Sequence, residues 1–389
     1  MSEWRHLPAG KIARQRKEIV RLEPGVEYRT MGVRWYGKGS YDRGLVTTAT
    51  VKAKSLYRAR EGDFTFNRID TQKGAFDVVP AELDGALATN EFPLYEVNRE
   101  EMDARFLLLN FQRPEVLGQI GAMRAGSEGR ARWKEADFET WTVPLPPIPI
   151  QERIVEIIGA VDAQIAALAP ETNTLEKVLD AWITTAFSTA DRNVPLGEIA
   201  EVQLGKMLSK ERAAGPDQAP YLRNADVQWQ GLNLTDLKSM TFTEKDRQRY
   251  ALRAGDILSC EGGDPGRSVL LSKDLDGIFY QKAVHRVRAT AVDPRFLYVA
   301  IKHAYTSGTI ADLCTVTTIK HLTAEKYRTL RVPLLSEEQQ ARAIEVHDVL
   351  FAQIAAIRAE ADRLSGVRTG LLSSLLDRTI DIKSAEQEI

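Results

Sequence analysis

Residues 143–168 read VPLPPIPIQERIVEIIGAVDAQIAAL, and 189 positions further on residues 332–357 read VPLLSEEQQARAIEVHDVLFAQIAAI. The two stretches align without a gap. They share Val-Pro-Leu, Gln151 with Gln340, Arg153 with Arg342, Glu156 with Glu345, and the run AQIAA at 163–167 and 352–356. Upstream the likeness continues in islands. Asp103, Arg105, Phe106 and Leu107 match Asp293, Arg295, Phe296 and Leu297 at an offset of 190, and Leu83-Asp84-Gly85 matches Leu275-Asp276-Gly277 at 192. Gly62-Asp63 matches Gly255-Asp256 at 193, and Val33, Trp35 and Gly37 match Val227, Trp229 and Gly231 at 194. The offset drifts in one direction, as a tandem duplication with small deletions produces and chance matches do not. The chain is therefore read as two copies of one unit of roughly 190 residues.

Each copy has two unlike parts. The first mixes short apolar runs with Gly, Pro and Asp punctuation: residues 59–66 (AREGDFTF) and 252–259 (LRAGDILS) each place a Gly-Asp turn before a strand-like run. That is an α+β pattern, with helices expected near 105–121 and 294–307. The second part is helical. A proline-rich opening (Pro144, Pro146, Pro147, Pro149) releases the chain into a helix expected to start near Gln151.

Along that helix Ile154, Ile158, Val161, Ile165, Leu168, Thr172, Leu175, Leu179, Trp182 and Ala186 step alternately by 4 and 3. Such a period marks a coiled-coil seam rather than a helix lying on a globular core. The second copy gives Ala343, His347, Leu350, Ile354, Ile357, Ala361, Leu364, Arg368, Leu371 and Leu375. His347 and Arg368 break the pattern, and a one-residue slide that turns Val346 and Val367 inward is the expected remedy. Pro170 should kink the first helix or interrupt one turn. Each helix spans about 60 Å at 1.5 Å per residue. A compact intervening domain favours antiparallel pairing, with a pseudo-twofold axis across the coiled coil and one globular domain at each end. The expected layout is globular α+β domains at 1–147 and 191–334, helices at 148–190 and 335–379, and a tail at 380–389.

Composition sets the outer limits. Of 389 residues, 43% are hydrophobic and 27% charged, a globular profile outside the disordered range. No run of 18 apolar residues and no leader pattern is present, so a soluble, unprocessed chain is expected. The two cysteines, Cys260 and Cys314, suit a reducing cytoplasm and lack zinc-ligand spacing, so no metal is expected. The net charge of −2 conceals an alternation: Lys+Arg against Asp+Glu is 23 to 21 over 1–147, 3 to 7 over 148–193, 20 to 16 over 194–334 and 6 to 10 over 335–389. Mildly basic blocks alternate with acidic ones, as polyanion-binding modules separated by protein-binding elements would.

At this point the order of parts resembles the specificity subunit of type I restriction-modification systems. The resemblance rests on the PLPPxxxQERI helix start (residues 144–154), the Ala186-Phe187 helix end, the VPLGEI opening of the second domain (194–199), the Gly-Asp turns and the repetition of the whole unit. It covers nearly the whole chain. The first domain opens with a poorer version of the opening, residues 4–8 (WRHLP), and the second helix start (333–339) lacks the Pro-Pro pair. The resemblance implies a non-catalytic adaptor. Each recognition domain reads one half of a gapped site in double-stranded DNA, and the helices act as a ruler. Two methyltransferase subunits, which bind S-adenosylmethionine, dock on the helices, and restriction/translocase subunits can join. The adaptor itself holds no cofactor and touches no membrane.

Catalytic signatures are missing: there is no phosphate loop ending in Lys-Ser/Thr, no Asn/Asp-Pro-Pro-Tyr and no Gly-x-Gly-x-x-Gly, and the five histidines are scattered. No catalytic residue is assigned. Residues 261–267 (EGGDPGR) read either as a surface turn or as a glycine loop whose amides approach phosphate while Arg267 reaches on. The candidate DNA contacts are basic and amide side chains, which can donate to guanine or pair with adenine. In the first copy they are Arg34, Lys38, Asn67, Arg68, Lys73, Arg130, Arg132 and Lys134. In the second they are Lys206, Lys210, Arg223, Asn224, Arg267, Lys320 and His321. Against each stands the plain reading of a solvated surface charge. Trp35 and Trp229 are expected in the core, since both follow a valine in a strand-like run and match across the repeat. Three other readings stay open: a protein-only coiled-coil scaffold, an enzyme with an unfamiliar motif, and a recognition subunit serving another modification or defence complex.

Overall fold

The computed structural model describes residues 4–123, 132–316 and 320–382. The chain divides into two compact units, one of residues 1–167 with 361–389, the other of 168–360.

The first domain runs through β1 (Arg5–Pro8), β2 (Ala13–Arg16), β3 (Ile19–Arg21), β4 (Tyr28–Val33), β5 (Ser40–Val46), β6 (Ser55–Arg58), β7 (Phe64–Phe66), β8 (Phe76–Val78), β9 (Leu87–Ala88), β10 (Leu94–Val97), α1 (Ala104–Phe111), α2 (Pro114–Met123), α3 (Glu135–Thr140) and β11 (Thr142–Leu145). Helix α4 (Ile148–Phe187) follows. The second domain runs through β12 (Arg192–Pro195), α5 (Leu196–Ile199), β13 (Ala200–Leu204), α6 (Lys210–Ala214), β14 (Gln218–Leu222), β15 (Val227–Gln228), β16 (Gly231–Leu232), β17 (Lys238–Thr241), α7 (Glu244–Arg249), β18 (Asp256–Cys260), β19 (Ser268–Leu270), β20 (Phe279–Tyr280), β21 (Val284–Ala289), α8 (Pro294–Thr306), α9 (Thr309–Leu313), β22 (Thr315–Val316), β23 (Lys320–His321), α10 (Ala324–Arg328) and β24 (Arg331–Leu334). Helix α11 (Glu337–Leu376) closes the series.

Both domains share a scaffold. Strand β1 pairs antiparallel with β11, and β12 with β24, so each domain is closed at its own opening strand. A four-stranded sheet of order β2-β10-β7-β8 in the first domain has the same order as β13-β21-β18-β19 in the second. Beyond this scaffold the domains diverge, with a five-stranded sheet β3-β6-β9-β4-β5 in the first and a three-stranded sheet β17-β14-β20 in the second.

The shared sequence islands turn out to be joints of that scaffold. At the Gly-Asp turns, Gly62 and Gly255 adopt φ of +83° and +86°, which a Cβ would disfavour. The following aspartates are buried. Asp63 accepts from Arg60 N (3.0 Å) and Arg16 Nε (2.9 Å), and Asp256 accepts from Arg253 N (2.8 Å) and Arg288 Nε (2.6 Å). The guanidinium comes from β2 in one domain and β21 in the other. Burial pushes the Asp63 carboxyl up from its ordinary value, against the hydrogen bonds from Arg60 and Arg16. Asp103 and Asp293 cap α1 and α8, each accepting at 2.7 Å from the backbone N–H of the matching arginine, Arg105 or Arg295. Gln151, fully buried, donates to the carbonyls of Glu101 and Pro146 (2.8 Å each) and accepts from Asp103 N (2.9 Å). Gln340 repeats one of these bonds, to Leu335 O at 2.9 Å.

The long helices pair antiparallel within each unit. In the first, Ile154, Ile157, Ile158 and Val161 of α4 share a core with Leu371, Leu372, Leu375 and Leu376 of α11, and Arg368 forms an ion pair with Asp162. In the second, Leu179, Ile183 and Phe187 of α4 pack with Ala343, Ile344 and Ile354 of α11, and Arg358 Nη2 lies 2.6 Å from Glu176 Oε1. Ile165, Leu168, Leu175, Trp182, Leu350, Ile357 and Leu364 are half-buried.

Four expectations are corrected. The helices are not a seam apart from the globular cores: Ile154, Ile157, Ile158 and Val161 of α4 join the core of Phe64, Phe106 and Phe138, and Leu179, Ile183 and Phe187 join that of Phe296 and Leu297. Pro170 does not break α4, which runs through it from Ile148 to Phe187, although its ring supplies no N–H to the helix. The slide does not occur: His347 is 3% exposed, stacked on Phe351 and edge-on to Tyr298, while Arg368 reaches Asp162 and Gln112. The aromatic rings in one case and the carboxylate in the other give each polar side chain an inward partner. The helix expected over 105–121 is two, because Pro114 has no N–H with which to continue α1.

Candidate nucleic-acid interface

Outside the joints, a hairpin face is repeated in both domains. In the first, the loop between β7 and β8 is closed by Asn67 N donating to Ala75 O at 2.9 Å. In the second, the loop between β18 and β19 is closed by Cys260 N donating to Arg267 O at 2.8 Å. A returning segment crosses each loop at the same place. Ile69 bridges Arg132 and Gly262 bridges His321, while Trp133 N donates to Arg68 O (3.0 Å) and Leu322 N to Glu261 O (2.8 Å). The pairs Ile69/Gly262 and Arg132/His321 stand 193 and 189 residues apart, the same drift seen in the sequence. Backbone geometry is thus repeated while the side chains on it differ.

In the first domain the structure brings Arg34, Lys38, Arg68, Lys73 and Arg132 to this face. Trp35 Nε1 donates to Ile69 O (3.0 Å), and Tyr36 N and Gly37 N donate to Lys73 O (2.6 Å) and Gly74 O (3.0 Å), tying the β4–β5 turn to the β7–β8 loop. Several of these cations already have partners. Lys73 Nζ is 3.0 Å from Asp70 Oδ2, Arg68 Nη1 3.3 Å from Glu135 Oε1, and Arg132 Nη1 2.8 Å from Glu91 Oε1. The Arg34 guanidinium lies over the Tyr41 ring at 4.1 Å. Lys38 and Lys134 are exposed. Arg130 lies outside the described residues.

In the second domain Asn224, Arg267, Lys320 and His321 meet around residues 261–267. Asn224 Nδ2 donates to Gly262 O at 2.8 Å, and Lys320 is exposed on β23. Lys210 is the first residue of α6.

Here sequence reading misassigned several side chains. Asn67 is buried, its Oδ1 accepting from Ile69 N at 2.9 Å, so it shapes the loop instead of facing DNA. Lys206 is buried, donating at 2.6 Å to both Thr241 O and Asp246 Oδ2. Burial works to raise the Asp246 carboxyl, but the bonds from Lys206 and Thr243 override it and hold it at about 2. Arg223 is bound to Asp226 through two bonds of 2.8 Å and to Asp236 O at 2.9 Å. Arg267 donates to Val227 O and Asn224 O, both at 2.9 Å, and pins β15 to the glycine loop. These two bonds make it a strut between β15 and the glycine loop. Beside it, burial pushes the Cys260 thiol up, which keeps it protonated.

The tryptophans part company. Trp229 is half-buried against the second core, its ring 5.1 Å from Tyr305 and 6.0 Å from Tyr298. Trp35, expected inside, is 39% exposed, because β4 ends at Val33 and leaves it on the turn. Tyr36 was not singled out from sequence, although Gly37 and Gly39 around it signal a tight turn that displays a side chain. Of the acidic partners, Asp70 stands three residues before Lys73, a spacing legible in the sequence, whereas Glu91 and Glu135 come from segments distant from Arg132 and Arg68 and leave no such signal.

Among the described residues no cluster could hold a metal ion, and no helix is long and apolar enough to cross a membrane.

Comparison with known proteins agrees with this architecture. The family model of the type I restriction modification DNA specificity domain matches residues 28–177 and again 192–364. The chain belongs to that family. Solved structures share the fold: a chain from a type I restriction-modification system, described for its complex assembly and conformational transition, superposes with a TM-score of 0.58 at 18% identity, over 97% of this chain and 98% of that one. The S subunit from M. genitalium gives 0.51 at 14%, over 96% of each chain. The HsdS subunit from Thermoanaerobacter tengcongensis gives 0.42 at 17%, over 96% of each. No curated protein matches the sequence.

Proposed function

We propose that this chain is the DNA-reading subunit of a type I restriction-modification complex, each domain reading one half of a gapped site in double-stranded DNA. The observation that carries the reading is the duplicated hairpin face: one backbone crossing, Ile69 to Arg132 and Gly262 to His321, carrying unlike side chains. Family membership supports DNA-sequence specificity as the role of both domains.

The helices set the spacing of the half-sites and dock two methyltransferase subunits, with restriction/translocase subunits joining them. Two linked modules gain from effective concentration when the DNA spacing fits their connection, so a mis-spaced site is rejected even if both halves are right. Grooves beside the capped helices support docking. One of about 860 Å³ is lined by Asp293, Arg295, Glu337, Glu345 and Asp348, and a smaller one of about 340 Å³ by the matching Asp103 and Arg105 with Glu152. The chain performs no chemistry of its own in this reading. S-adenosylmethionine is bound by the methyltransferase subunits.

The test is co-purification with a methyltransferase subunit followed by methylation mapping on genomic DNA, with a gapped two-part motif expected. Inserting four residues near Pro170 adds about 6 Å of helix, the length of about two base pairs. The gap should change and the half-site letters should not. Changed letters with a constant gap would refute the ruler, and assembly without any methylated motif would favour a protein-only scaffold.

A further inference from the structure

The β4–β5 turn of the first domain displays an aromatic ring that its own fold does not use. Tyr36 is 70% exposed, and its backbone is left-handed at φ +62°. That conformation is disfavoured for a bulky L-residue and persists where the surroundings impose it. Glycine occupies the two other left-handed positions of the same turn, Gly37 (φ +65°) and Gly39 (φ +68°), so a third glycine would relieve the strain at position 36. The tyrosine stands where neither backbone nor core gains from it.

The turn is also rigid. Tyr36 N and Gly37 N are bonded to Lys73 O and Gly74 O, and Trp35 is fastened through its indole N–H to Ile69 O while the Lys73 ammonium lies 5.6 Å from its ring centre. Arg34 and Lys38, both exposed, stand two residues before Tyr36 and two after it in the chain. A projecting aromatic on a braced turn, with a cation two residues to either side, matches the chemistry of a side chain that enters a stack of bases between two phosphate backbones. A backbone held in this way leaves only the ring's own rotamers to order on binding.

We propose that Tyr36 is a wedge that enters one base step of bound duplex DNA, with Trp35 bracing it and Arg34 and Lys38 against the neighbouring phosphates. This rests on the DNA-reading function above. The second domain has Gln230 at the aligned position, and its Trp229 is folded inward onto Tyr298 and Tyr305. The wedge therefore belongs to one domain, and the distortion of the DNA to one half-site.

The test uses the full chain assembled with its methyltransferase subunits and duplexes carrying 2-aminopurine at successive positions through both half-sites, the methylated adenines omitted. A rise in fluorescence is expected at one step in one half-site. Tyr36→Ala should abolish it and weaken specific binding about tenfold. Tyr36→Phe should retain both. Tyr36→Gly, which relaxes the backbone, should lose the signal while thermal stability is kept or raised, which separates loss of the wedge from misfolding. Tyr36→Ala binding as tightly as the parent, a signal in both half-sites, or none in either would overturn the wedge while leaving DNA reading intact. Dissociation of the methyltransferase subunits by Tyr36→Ala would overturn it too, assigning the ring to a protein contact. Absence of sequence-specific binding by the parent complex would overturn the DNA-reading function and the wedge together.

Discussion

Arg267→Ala separates a strut from a DNA ligand. The guanidinium makes two charge-assisted bonds of 2.9 Å to Val227 O and Asn224 O, and its side chain is 20% exposed. A hydrogen bond from a charged donor contributes about 1.5–3 kcal/mol, and a buried carbonyl left bare costs about 1–3. With water partly replacing the lost donor, the second domain should lose about 3 kcal/mol of stability. The assay is denaturant unfolding of the full chain, alongside the salt dependence of DNA binding under conditions where the variant is folded. Each phosphate contact contributes roughly 0.9 to the slope of log K against log salt. Arg267→Ala should leave that slope unchanged. Arg132→Ala, 42% exposed and paired with Glu91 at the surface, should do the opposite, lowering the slope by about one while costing under about 1 kcal/mol. Full stability of Arg267→Ala together with a slope reduced by one would refute the strut.

The duplication supplies an internal control for the helix starts. Gln151→Ala breaks three buried bonds and should cost about 3 kcal/mol, whereas Gln340→Ala breaks one at a half-buried site and should cost about 1, both read by denaturant unfolding; equal losses would refute the account. A pH dependence follows from His285, whose Nε2–H donates to Leu322 O at 2.8 Å and whose imidazolium is held down to about 4 by burial. Above the unfolded value of about 6.5 both states are neutral and the contribution is complete. As pH falls from there towards 4 the unfolded chain takes up a proton that the folded one refuses, so stability drops, by about 3 kcal/mol in total, and levels off below. Subtracting the pH profile of His285→Phe from that of the parent should isolate this slope, and identical profiles would contradict it.

How far the sequence could be read depends on whether neighbours in space are neighbours in sequence. The repeat gave Gly62-Asp63 and Gly255-Asp256 as turns, yet not that the guanidinium on Asp63 comes from β2 and that on Asp256 from β21. Spacing placed His347 and Arg368 on the inner stripe of their helix and then argued them away from it. Tyr298, Phe351 and Asp162, from other elements or the next turn, are what keep them there. Candidate DNA contacts fared worst, since a lysine reads alike whether it meets solvent or, as Lys206 does, Asp246 forty residues away.

The doubling, the α+β character of each domain, the two long helices and the Gly-Asp turns were legible in the sequence alone, because these follow from local periodicity and from backbone demands that glycine and proline announce. The tertiary structure alone decided which charges are spent inside the protein, that α4 and α11 join the domain cores, and that Trp35 and Tyr36 stand outward while Trp229 turns in. Those outcomes depend on what lies across a sheet or beside a helix, and pairing energies between distant segments leave no periodic trace in a single chain.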